Sequence, residues 1–242
     1  GVNLLEPGET PYENAQFLLF LCAVIQAVDD YQDMLRVAVA SASNDRRLGA
    51  FEAPPAVVSM FLGTELEEML DAIENDKPYG TREKELIRVG VHALPKFPRD
   101  TTDRNRTSPF AFTGNRFEYR AVGASANCAS AMCTLNTVVA YQLRDFKSAV
   151  DEKIASGMDK EKAIVTTVCD YYRKCKKVCF DGNGYSEEWK EKAEKRGLDC
   201  ETSTPLIYDS FLSKATKAAF TEMKVLSDVE LKARTDVLWE TY

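Results

Sequence analysis

The 242-residue sequence predicts an α+β fold, helix-rich, with its strands in the first half of the chain. Three observations lead there. Capping-box signals, a Ser or Thr followed three residues later by Glu, recur from Thr10 to Ser227. Short β-branched and aromatic runs bounded by Gly, Pro or Asn fall before residue 125. The later stretch, 146–200, is rich in lysine and glutamate and reads as solvated helices. No internal repeat or low-complexity tract interrupts the pattern.

Taken in order, "TPYE" (10–13) offers Thr10 as N-cap, Pro11 at the first helical position and Glu13 to close the box. The apolar run "FLLFLCAVIQAV" (17–28) then predicts a buried helix to about Asp30. Strands are predicted at "MLRVAVA" (34–40) and "AVVSMFLG" (56–63), on either side of a loop. "TELE" (64–67) repeats the box before "EMLDAIE". "TSPFAFT" and "RFEYRAV" flank Gly114–Asn115, which reads as a hairpin turn. Helices follow at about 127–146, 159–179 and 186–196, the last with Ser186 ahead and Gly197 at its end. "DGNG" (181–184) is a loop. In "LSDVEL" (226–231), Ser227 and Glu230 form a box and Leu226 and Leu231 a hydrophobic staple. The expected division is 1–145 and a helical carboxy-terminal region, 146–242.

A formal net charge of −7 argues against a nucleic-acid partner, which leaves a basic footprint. The apolar run is broken by Gln26 and falls short of the roughly 20 residues that span a bilayer. Gly1 opens a polar segment without a basic lead, so no signal peptide or membrane is expected. "GVNLLEPGETPYE" enters on a loop, as an internal boundary of a longer chain would. The cysteine count is seven, an odd number, and Cys169, Cys175 and Cys179 lack zinc-site spacing. The single histidine, His92, lies far from them, so reduced thiols and a cytoplasmic location are expected.

Against this acidic balance, "DRNRTSPFAFTGNRFEYR" (103–120) carries four arginines. On a strand, Arg116, Glu118 and Arg120 share one face while Phe117, Tyr119 and Ala121 face a core. Hairpin register sets Glu118 across from Ala111 and Arg120 across from Pro109. Arg104 and Arg106 enter from the adjoining segment. One reading is a salt-bridged sheet surface, worth ~0–1 kcal/mol per exposed pair. The other starts from the imbalance, since one glutamate cannot neutralise four arginines. Arginine suits bidentate phosphate and carboxylate recognition, and a glutamate among arginines can hold magnesium against phosphate. A second candidate is "NDRRLGAFEAPP" (44–55), with Arg46 and Arg47 before a small-residue bend and Glu52 beyond it. It reads equally as a functional loop with an acid at its tip or as a surface loop with a local ion pair.

Together these segments resemble glutamine synthetase, type III branch, in the carboxy-terminal part of its catalytic domain. "GVNLLEPG", "RTSPFAFTGN" and "VLSDVELKARTDVLWETY" carry the same resemblance. It implies an antiparallel-stranded catalytic domain with added carboxy-terminal helices. It also implies ATP-dependent ligation of ammonia to L-glutamate through γ-glutamyl phosphate. By resemblance Arg47 and Arg120 bind the glutamate substrate, and Glu52 takes a proton from ammonium. Arg106 meets the transferring phosphate, Arg116 a nucleotide phosphate, and Glu118 is a magnesium (or manganese) ligand. Arg46 is given no role. Ala111 stands where many members carry a further arginine. The resemblance further implies homo-oligomeric rings, a dodecamer, and remaining metal glutamates upstream of Gly1, so this part is expected to be inactive alone. A related γ-glutamyl-amine ligase and a non-catalytic assembly module of the same fold are the alternatives.

Overall fold

The computed structural model describes residues 1–40, 57–75, 77, 86–87, 97–98, 108–121 and 126–242. A 3₁₀ turn, Pro11–Glu13, leads into α1 (Ala15–Asp30) and α2 (Gln32–Val39). Next come β1 (Met60–Phe61), α3 (Thr64–Glu74), β2 (Leu86–Ile87), β3 (Phe97–Pro98), β4 (Phe110–Phe112) and β5 (Phe117–Tyr119). The remainder is helical: α4 (Ala129–Ala155), α5 (Lys160–Cys175), α6 (Glu187–Lys195), α7 (Lys214–Glu222) and α8 (Asp228–Thr241). A 3₁₀ turn at Lys176–Val178 follows α5, and another, Pro205–Leu212, precedes α7. The architecture is α+β and helix-rich.

The core is built on α1, whose apolar run is buried nearly all round from Phe17 to Val28. Helices α4 and α5 pack on it and on each other. A helix with no solvated face needs such neighbours on several sides. Along α5, Ala163, Thr167, Val168, Tyr172 and Cys175 are buried at helical spacing, so 146–200 is not simply a solvated region. Its charged residues cover the outer face of a helix whose inner face is core. Residue 145 lies inside α4, and Phe146 stacks near Tyr171 with ring centroids 4.9 Å apart. No helix of the described residues is long and apolar enough to cross a membrane.

Three local expectations are corrected. "MLRVAVA" is helical, not a strand: Tyr31, Met34 and Leu35 are buried at i, i+3 and i+4 spacing, and α2 packs on α4. Packing of that stripe overrides the β propensity of its valines. The first helix starts at Ala15 rather than Pro11, because the Asn14 side chain accepts the Phe17 N–H (3.0 Å) while Thr10 makes no side-chain cap. At α3 the N-cap is Gly63, with φ +88°, and Thr64 is already helical. Ser227 and Glu230 do form a reciprocal capping box at α8, and Ser186 caps α6 through the Trp189 N–H.

β4 lies between β1 and β5. It runs parallel to β1, with Met60 opposite Phe110, and antiparallel to β5, with Ala111 opposite Glu118. β2 and β3 form a separate antiparallel pair. The predicted strand 56–63 is confined to Met60–Phe61 among the described residues. The carboxy-terminal half reaches this sheet directly: Cys179 bridges Met60, and the Phe180 N–H donates to the Met60 carbonyl (2.8 Å). Phe180 in turn stacks flat on the buried Trp189, centroids 3.8 Å apart. Gly182 is required beside it, since a Cβ there would sit 2.7 Å from the Phe180 ring.

Candidate functional site

The β4–β5 hairpin turns on Gly114, whose φ of +95° puts it in the region that favours glycine. The Thr113 N–H donates to the Arg116 carbonyl (2.8 Å) across the turn. Beyond β5 the Arg120 N–H donates to the Pro109 carbonyl (2.8 Å), so the ladder continues one pair further. Register and strand alternation then sort the side chains. Phe110, Phe112, Phe117 and Tyr119 share one face and pack against the core. The Phe110–Tyr119 and Phe112–Phe117 centroids lie 5.4 and 5.2 Å apart, and Phe17 of α1 meets Phe112 at 5.9 Å.

The opposite face brings Arg116, Glu118 and Arg120 together, as strand alternation predicts. Arg120 donates from Nε and Nη2 to Glu118 Oε2 (3.2 and 3.1 Å), and Arg116 Nη2 lies 3.7 Å from Glu118 Oε1. The Arg120 Nη1 also reaches the buried Ser108 carbonyl at 3.5 Å. Exposure is graded across the three side chains: 71% for Arg116, 36% for Glu118 and 18% for Arg120. Arg120 is seated and Arg116 projects. Among the described residues, Glu118 is the carboxylate that contacts both guanidinium groups, on a face that solvent reaches. Ala111, opposite Glu118, adds no bulk there. Ala121 is exposed, against the expectation that it faces the core.

The remaining predicted site residues, Arg47, Glu52 and Arg106, lie outside the described residues. Among the described residues no three His, Cys, Asp or Glu side chains gather as a metal site. Glu118 is the carboxylate of this face that could contribute to a divalent-ion site, and magnesium typically takes one or two carboxylates plus substrate phosphates. The cysteines are free thiols, and burial pushes the Cys175 and Cys179 thiols well up, which suits structure rather than reactivity.

The alternation pattern does not reveal what grips the hairpin from behind. The Asn3 side chain donates to the Asn115 carbonyl (2.8 Å), and the Asn115 side chain donates to Glu6 (3.3 Å). The Tyr119 hydroxyl donates to the Leu35 carbonyl in α2. These partners are more than 80 positions apart in sequence, and no local spacing signals them.

A glutamine synthetase from Bacteroides fragilis (strain YCH46) is 42% identical over 245 aligned residues, covering all of this chain and 34% of the relative. The type-3 glutamine synthetase of Dictyostelium discoideum is 44% identical over 245, covering all of this chain and 33% of the relative. A glutamine synthetase from Butyrivibrio fibrisolvens is 39% identical over 244, again across the full chain. The family model for the glutamine synthetase C-terminal domain matches residues 163–242. Along its whole length the chain is similar to glutamine synthetases, and its last third matches that family's C-terminal domain. It spans about a third of the length of the curated relatives it matches. The glutamine synthetase C-terminal match begins within α5 and so includes the residues that bridge to β1.

Proposed function

We propose that the protein of which this chain is a part ligates ammonia to L-glutamate, using ATP and passing through γ-glutamyl phosphate. The observation that carries the reading is the β5 face, where Glu118 sits between Arg116 and Arg120 within reach of solvent. Phosphoryl transfer asks the protein mainly for charge neutralisation and alignment. In this reading Arg116, with Arg106, meets phosphate oxygens, while Arg120 and Arg47 hold the carboxylates of glutamate. Glu118 would help to hold a divalent ion, magnesium or manganese, which would supply positive charge against the phosphates. Glu52 accepts a proton from ammonium, so that neutral ammonia attacks the acyl phosphate and inorganic phosphate leaves.

The Glu118–arginine contacts support this reading as a resting arrangement: the carboxylate keeps the guanidinium groups paired until phosphate and cation arrive. Homo-oligomeric rings, a dodecamer, and a cytoplasmic location belong to the same proposal, as do an absent nucleic-acid partner and an absent membrane.

The test uses Glu52→Ala in the whole enzyme. Proton transfer by a positioned carboxylate is typically worth ~10²–10⁴ in rate. The variant should still bind ATP and glutamate and still release phosphate slowly, because water reaches the intermediate, while glutamine output falls by that factor. Phosphate and glutamine are measured in the same reaction. Glutamine at close to the parental rate would remove Glu52 from the mechanism.

A further inference from the structure

β5 is three residues long, and among the described residues it pairs only with β4. Every residue proposed above for the described site lies on it or within one position of its ends. Tyr119 sits between Glu118 and Arg120 and points the other way. Its ring lies against the fully buried Phe110, and its hydroxyl donates to the backbone of Leu35, itself fully buried within α2. This contact joins β5 to a helix that packs on α4. A second grip holds the far end of the strand, where Asn115 is tied to Asn3 and Glu6.

We infer that Tyr119 is a positioning residue for the Glu118–Arg120 pair, fixing the twist of β5 through its hydrogen bond to α2. The inference rests on the reading of Glu118 as a metal ligand given above. The mechanics are short-ranged. Adjacent residues on a strand leave in opposite directions, so a rotation of the strand about its axis moves Glu118 and Arg120 together. Backbone pairing with β4 sets the height of Glu118 but opposes rotation weakly over three residues. The phenol anchored behind supplies that resistance. A second consequence is directional: α2 and the metal-facing side chain form one rigid path, Leu35 to Tyr119 to Glu118.

Tyr119→Phe keeps the ring against Phe110 and removes only the hydroxyl. In the whole enzyme, Mn²⁺ binding is followed by electron paramagnetic resonance of the free ion, and the glutamate KM is measured alongside. Removing a group that orients a metal ligand typically weakens metal binding by ~10–100-fold. The expected result is a Mn²⁺ dissociation constant raised roughly tenfold and a raised glutamate KM, from the folded fraction established by denaturant unfolding. A variant that loses stability yet binds Mn²⁺ and glutamate as the parent does overturns the proposal. Glu118→Gln is run in parallel. If it weakens Mn²⁺ binding and Tyr119→Phe does not, only the positioning role falls. If Glu118→Gln leaves Mn²⁺ binding untouched, the metal reading falls and takes the positioning role with it.

Discussion

Asp29 and Glu118 are both carboxylates beside cations, and they occupy opposite surroundings. Asp29, near the end of α1, has a side chain only 4% exposed, with Lys177 Nζ 3.5 Å away and the Gln32 amide donating to it at 3.3 Å. Glu118 is 36% exposed and has two guanidinium groups. Burial pushes the Asp29 carboxyl up to about 6, with Lys177 opposing the rise and Asp30 and Asp199 adding to it. A buried carboxylate must be compensated by fixed protein groups, because nothing else can reach it. An exposed one can also be reached by water and solutes, so its partners need not all be protein groups. Asp29 is therefore engaged by fixed groups of the fold, which its ionisation strains, whereas Glu118 stays within reach of solvent.

The comparison breaks most visibly through the segment that supplies Lys177. That segment is locked to the sheet by the Phe180 N–H on Met60 and by the Phe180–Trp189 stack. Trp189→Ala should cost about 3–5 kcal/mol of stability, read from the midpoint of denaturant unfolding. A loss under about 1 kcal/mol would mean that the carboxy-terminal half does not anchor the sheet.

A smaller effect sharpens it. The folded protein holds the Asp29 proton up to about pH 6, whereas the unfolded chain releases it near its ordinary value of 3.8. Between those values the folded state binds more protons, so this group's stabilising contribution is full below the lower value and lost as pH rises through the upper one. Asp33 and Glu67 are also raised by burial and contribute slopes of the same sign. Asp29→Asn should therefore flatten, not abolish, the fall in stability between about pH 4 and about pH 6, as followed by urea unfolding at a series of pH values. An unchanged slope would place Asp29 in water.

Legibility in the sequence followed the range of the interactions. Period-2 alternation and the Gly114 turn predicted the hairpin, its register and the shared face of Arg116, Glu118 and Arg120, because each is set within a dozen residues. Ser227–Glu230 and Ser186 were legible for the same reason. α2 is not legible as a helix, since its valines carry a local β preference that loses to packing on α4. Ala121 lay beyond the last ladder pair, where alternation no longer binds. The inner face of α5 was hidden by abundant lysine and glutamate, and the Tyr119–Leu35 and Asn3–Asn115 contacts are products of tertiary folding alone.

The central claim is that Glu118 is held for a cation rather than for the fold. It is tested most directly by Glu118→Gln in the whole enzyme, which keeps the shape of the side chain and removes its charge. Glutamine formation is titrated with magnesium, and unfolding is followed on the same preparation. The account predicts a steep fall in activity, with half-maximal activity moved to higher magnesium. Stability should change by no more than the ~0–1 kcal/mol of an exposed ion pair. A magnesium titration that stays in place while stability drops would contradict it, and would make Glu118 a structural ion-pair partner of the two arginines.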